Sequence, residues 1–132
     1  MLFARVVLYL SAATFAGFGA WLMVTPAALE DAASVGLSSA EARAEIRAMY
    51  GGLELGIAAF LLWCARRPAR HQAGLALSAL AFLGLGAGRL AGMAIEDAWT
   101  AAHLSALTAE TVAFGLSCAG LAALSRSHPK SG

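Results

Sequence analysis

Three ionisable residues interrupt otherwise apolar stretches of this chain: Glu54, Arg89 and Glu110. Two carboxylates and a guanidinium among leucines, alanines and glycines can pair with one another, hold the polar group of a ligand, or pass a proton. Hydrogen-bonding side chains recur around them at helical spacing. Arg47, Tyr50 and Glu54 stand at i, i+3 and i+7, which is one face of a helix, and His103, Leu107 and Glu110 repeat that spacing. Two acids are then balanced by two bases, Arg89 and the shallower Arg47, with Tyr50 and His103 as hydrogen-bond partners at the mouth of the cluster. If Arg47 turns to the interface instead, one carboxylate is left without a cation.

Groups of this kind can be buried among apolar residues only if long apolar elements carry them. Of the 132 residues, 60% are hydrophobic and only 13% charged, where a soluble domain carries about a quarter charged residues. About 20 apolar residues cross a hydrocarbon core of roughly 30 Å. Four stretches meet that length, at about 6–25, 45–64, 72–95 and 100–124, followed by a polar tail over 125–132. The expectation is an all-α fold: a four-helix transmembrane bundle of two helical hairpins forming one domain. The Met-Leu-Phe-Ala-Arg start resembles a signal peptide, but the apolar run behind it exceeds a cleavable core and reads as an uncleaved first span. Pro26 should end that span, and Ser39, followed by Glu41, should cap a helix that begins at the interface. Arg66, Arg67 and Pro68 should end the second span.

Helical rise sets the depth of the charges. Glu54 lies about 14 Å and Glu110 about 15 Å below the outer ends of their helices, and Arg89 about 10 Å below Glu96. A lone charge at that depth costs about 3 kcal/mol on insertion scales, so the three should face one another. Orientation follows from where six of the nine basic residues fall. Arg5, Arg66, Arg67, Arg70, Arg126 and Lys130 share one side of a four-span chain, while Glu30, Asp31, Glu41, Glu45, Glu96 and Asp97 take the other. Short basic loops stay in the cytoplasm, so both termini are expected there.

Other features have structural readings. Cys64 and Cys118 are packing residues near cytoplasmic helix ends. Gly52 and Gly56, and Gly84, Gly88 and Gly92, make small-xxx-small steps that predict close helix contacts within the bundle, with a homo-oligomer face as the alternative. Trp21, Trp63 and Trp99 fall near span ends, as interfacial anchors do. Gly19-Ala20 before Glu30-Asp31-Ala32 is echoed by Gly86-Ala87 before Glu96-Asp97-Ala98, the pattern of two hairpins from one unit. A net charge of +1 with no basic face argues against nucleic acid. No metal-ligand spacing, phosphate loop or hydrolase elbow occurs, so neither a metal nor a cofactor is expected.

The segment Glu45-Ile46-Arg47-Ala48-Met49-Tyr50-Gly51-Gly52-Leu53-Glu54-Leu55-Gly56, followed by Arg89, Glu96-Asp97 and Glu110, resembles the DUF4345 family of small bacterial four-span proteins. The similarity spans nearly the whole chain, with Glu-x-Arg-x-x-Tyr-Gly-Gly its most specific part. It implies a four-helix fold in a bacterial inner membrane and no established activity. More distantly the layout is similar to DoxX-like membrane proteins, an architectural likeness that transfers no site residue. Three functions are compatible with an intramembrane Glu/Arg cluster open toward the outer face. The favoured one is a non-enzymatic binding or interaction protein that meets lipid and a small amphipathic ligand or another membrane protein. The others are a proton- or ion-coupled carrier and an enzyme of lipophilic substrates, with Glu54 or Glu110 as acid or base.

Overall fold

The computed structural model describes residues 1–33 and 36–126, without the side chains of 31–33. The expected role of Asp31 as an outer acid, and of His128 and Lys130 as part of a polar tail, lies outside the described residues. Helix α1 spans Leu2–Val24. It ends where Thr25 precedes Pro26, since a residue before proline is pushed out of the helical region, and Thr25 has φ −124° and ψ 68°. A short helix α2, Ala28–Ala33, follows, and residues 36–38, which form no regular element, precede Ser39. The Ser39 hydroxyl accepts the Ala42 amide at 3.0 Å, the cap expected from sequence.

From there one continuous rod runs Ala40–Ala65. It consists of α3 (Ala40–Ile46), a π-helical turn (Arg47–Gly52) and α4 (Leu53–Ala65). Arg67 is extended, and Pro68 opens a 3-10 turn, Pro68–Arg70. Helix α5, His71–Glu96, stops on Asp97, whose left-handed φ of 50° turns its amide back to the Met93 carbonyl. Thr100 Oγ1 accepts the His103 amide at 3.2 Å at the start of α6, Ala101–Arg126. All four long helices are apolar enough to cross a membrane. The α6 window is only 17% buried inside the bundle, and apolar surface turned outward on that scale is stable against lipid rather than water.

The closest helix pairs are α1 with α4 and α5 with α6, the two expected hairpins. They join face to face in the half of the bundle that carries Arg5, Arg66 and Arg126. Leu8, Leu61 and Leu75 are fully buried there. Ser78 Oγ donates to Ser11 Oγ at 2.9 Å and lies 2.9 Å from Ser117 Oγ, so three hydroxyls satisfy one another in the core. The rings of Phe15 and Phe82 sit 5.0 Å apart above them.

These contacts expose a repeat much longer than the Gly-Ala echo. Ser11 and Ser78 are separated by 67 residues. At the same separation stand Leu8 and Leu75, Ala12 and Ala79, Phe15 and Phe82, Gly17 and Gly84, Gly19 and Gly86. Serine meets serine and phenylalanine meets phenylalanine across the interface, as equivalent residues do beside a two-fold axis. Helices α1 and α5 therefore carry the same residue pattern on the faces by which the hairpins meet.

Close packing is not made by the glycines expected to make it. A Cβ at Gly56, Gly84, Gly88 or Gly92 would meet nothing within 4 Å, and at Gly52 nothing nearer than 3.7 Å. The tight approaches are elsewhere. At Gly19 a Cβ would come within 3.0 Å of the Gly51 carbonyl, and at Gly74 within 2.7 Å of both Cys64 Cβ and Leu8 Cδ2. The spacing rule finds small residues on one helix face, but which face meets a neighbour depends on the hairpin pairing.

Candidate functional site

The half of the bundle beyond Phe15 and Phe82 holds a cavity of about 590 Å³ between the hairpins. Both phenylalanines line it, with Phe18 from α1, Tyr50 from the π-helical turn, Glu54 from α4, Arg89 from α5 and His103 from α6. Gly84 and Gly88 line it too, which is why they have no neighbours. The wall is mainly apolar, with its polar groups converging from different helices, the usual composition of a small-molecule site.

The two carboxylates differ in their partners. Arg89 grips Glu110 through a forked contact: Nε donates to Oε1 and Oε2 at 3.0 Å each, and one terminal nitrogen donates to Oε1 at 2.7 Å. Both residues belong to the α5–α6 hairpin. Glu54 belongs to the other hairpin and is only 9% exposed. Its Oε2 is buried with no hydrogen-bond partner among the described residues. An unpartnered buried carboxylate oxygen is costly.

The repeat explains the difference. Glu54 packs on Gly19, where an added Cβ would lie 3.1 Å from Glu54 Cβ, and Glu110 packs on Gly86, where it would lie 3.7 Å from Glu110 Cβ. Three residues after Gly86 stands Arg89. Three residues after Gly19 stands Leu22, fully buried. The second hairpin carries a cation for its acid, and the first carries a leucine at the equivalent place.

Arg47 is not brought into the cluster. Its Nε donates to the Met23 carbonyl at 3.1 Å, so it closes the C-terminal turn of α1 instead of facing Glu54. The cause is the π-helical turn, in which the Leu53 amide reaches back to the Ala48 carbonyl. Its wider turn breaks the i, i+3, i+7 face on which Arg47 was to align with Glu54. Tyr50, within the turn, and His103 do line the cavity. His103 Nδ1 is held 2.9 Å from the Ala98 carbonyl.

Phe15, Phe18 and Phe82 were not singled out from sequence, nor was the buried His71, whose Nε2 lies 3.3 Å from the Ala65 carbonyl at the other end of the bundle. The matching Ser-x-x-x-Phe-x-x-x-Gly strings of α1 and α5 could have found the first and last of these phenylalanines.

Four apolar helices in two hairpins around an internal cavity that gathers polar groups define a multi-pass membrane protein of the four-helix type. The chain belongs to the DUF4345 family, described as a domain of unknown function, whose family model matches residues 3–121. No curated protein and no solved structure matches the chain.

Proposed function

We propose that this protein is a non-enzymatic binding protein that takes a small amphipathic ligand into the cavity between its hairpins. The observation that carries the reading is Glu54: a buried carboxylate, without a partner on Oε2, bordering a largely apolar space of ligand size. The aromatic wall receives the apolar body of the ligand and Glu54 its polar end. A carrier would need a polar path to the far end of the bundle, whereas the Phe15 and Phe82 rings stand beneath the cavity. For an enzyme, Arg89 would be the group that orients a substrate beside Glu54, and it is already engaged by Glu110. The same reading turns the cavity toward the outer side of a bacterial inner membrane, because Arg5, Arg66, Arg67 and Arg70 sit at the opposite end.

The test uses the neutral lipophilic fluorophore N-phenyl-1-naphthylamine with purified protein in detergent. Wild type should give a saturable signal that is lost in Gly84→Leu and Gly88→Leu, where a side chain fills the cavity from positions with no other neighbour. Equal signal in wild type and both filled variants means that the fluorophore reports the micelle and the binding reading fails.

A further inference from the structure

We propose that the ligand is a lipophilic organic cation whose ammonium or guanidinium group takes, beside Glu54, the place that the Arg89 guanidinium takes beside Glu110. The proposal rests on ligand binding in the inter-hairpin cavity and adds the chemical class of what binds there. Its first support is the internal repeat. Each hairpin sets one glutamate against one glycine, Glu54 on Gly19 and Glu110 on Gly86. In the second hairpin the residue three places after the glycine is Arg89, and it neutralises Glu110 at 2.7 Å. In the first the equivalent residue is Leu22, which is fully buried and carries no charge. The chain thus contains two copies of an acid site and the cation for only one of them.

The second support is the count of charged groups that face the cavity. Glu54 and Arg89 line it, and Arg89 is already neutralised by Glu110, which stands outside the lining, so with both acids ionised the three groups together carry a formal charge of −1. Arg47, which sequence placed there, is bound to the Met23 carbonyl, and Arg43 reaches the Leu37 carbonyl at 3.0 Å. No other lysine or arginine lines the cavity among the described residues. Tyr50 and His103 are its remaining titratable neighbours. An anionic ligand would meet an uncompensated carboxylate in a medium of low polarity, and a purely apolar one would leave Glu54 unsatisfied.

The third support is the wall. Phe15, Phe18, Phe82 and Tyr50 all border the cavity. Aromatic faces attract cations through the ring quadrupole, most strongly where water is excluded. A carboxylate with several aromatic rings beside an open-sided apolar cavity is the donor set that selects an organic cation over a hydrated metal ion, which would require several oxygen ligands.

The experiment uses a matched probe pair: 4-phenylbutyltrimethylammonium and its uncharged isostere with carbon in place of the quaternary nitrogen. Each is titrated against protein loaded with N-phenyl-1-naphthylamine, and displacement is read in wild type, Glu54→Gln and Leu22→Arg. In wild type the cation should displace at about tenfold lower concentration than the isostere. Glu54→Gln should bring that ratio to about one while leaving displacement by the isostere unchanged. Leu22→Arg, which supplies the missing arginine of the repeat, should abolish the preference in the same way, and Glu54→Gln decides the test where an arginine at the fully buried Leu22 position does not fold. Equal displacement by cation and isostere in wild type overturns the cation proposal while the cavity remains a binding site. Wild type that fails to load the fluorophore at all removes the binding reading and this inference with it.

Discussion

A forked guanidinium–carboxylate contact inside an apolar bundle is strong only as a pair. Taking Arg89 away leaves Glu110, whose side chain is 9% exposed, without its donors, whereas taking Glu110 away leaves an Arg89 that is 30% exposed and borders the cavity. Removing one partner of a buried pair costs more than removing both, because the orphaned charge stays in low dielectric. Arg89→Gln should therefore lower stability by about 2 kcal/mol and Glu110→Gln by about 1 kcal/mol, with the double variant recovering part of the sum. Thermal unfolding in detergent measures all three, and purely additive losses would show that the contact is not a coupled pair. Glu54→Gln should behave differently. No partner of Oε2 is lost, and an uncharged amide is easier to bury, so this variant should match or exceed wild-type stability. The clasp that sequence distributed over four charges is thus two residues, and the fourth, Arg47, serves the end of α1.

At the scale of the helices, the glycines divide into those that hold the bundle and those that do not. Gly74 sits where α5 crosses α4 and α1, and an added methyl would meet Cys64 Cβ, an atom fixed to its backbone, at 2.7 Å. Gly74→Ala must separate the hairpins and should cost about 2 kcal/mol. Gly92→Ala adds its methyl to open space and gains helix propensity, so it should be neutral or stabilising by up to about 1 kcal/mol. Equal melting shifts for the two would mean that the hairpins do not meet at Gly74. The π-helical turn at Arg47–Gly52 belongs to the same scale. It sits where Gly51 packs against Met23 and just before Glu54, so it sets the angle from which the carboxylate enters the cavity.

For the whole molecule, the proposed orientation rests on the sorting of charge between the two ends. With Arg5, the Arg66–Arg70 loop and Arg126 retained in the cytoplasm, a fluorescent protein fused after Arg126 should fold and fluoresce, and a secreted phosphatase inserted at Trp99 should be active. Fluorescence lost at the C-terminus with phosphatase activity lost at Trp99 would invert the bundle and turn the cavity inward. The four apolar helices themselves are indifferent to this choice, which rests on the loops alone.

Much of this protein was legible in its residues because lipid imposes simple demands. Apolar stretches long enough to span, the breaks at Thr25-Pro26 and Arg67-Pro68, and the cap at Ser39 each follow from local backbone chemistry, and the structure has all of them. Which acid Arg89 would take was decided by tertiary structure, since either lay within reach along the axis and only the α5–α6 pairing brings Glu110 to 2.7 Å. The π-helical turn that removes Arg47 has no signature in residue type, because it depends on how Gly51 and Gly19 let two helices approach. The cavity lies between the hairpins beyond the serine and phenylalanine contacts through which they meet. Periodicity within a helix specifies a face; the neighbour that face meets is a property of long-range packing.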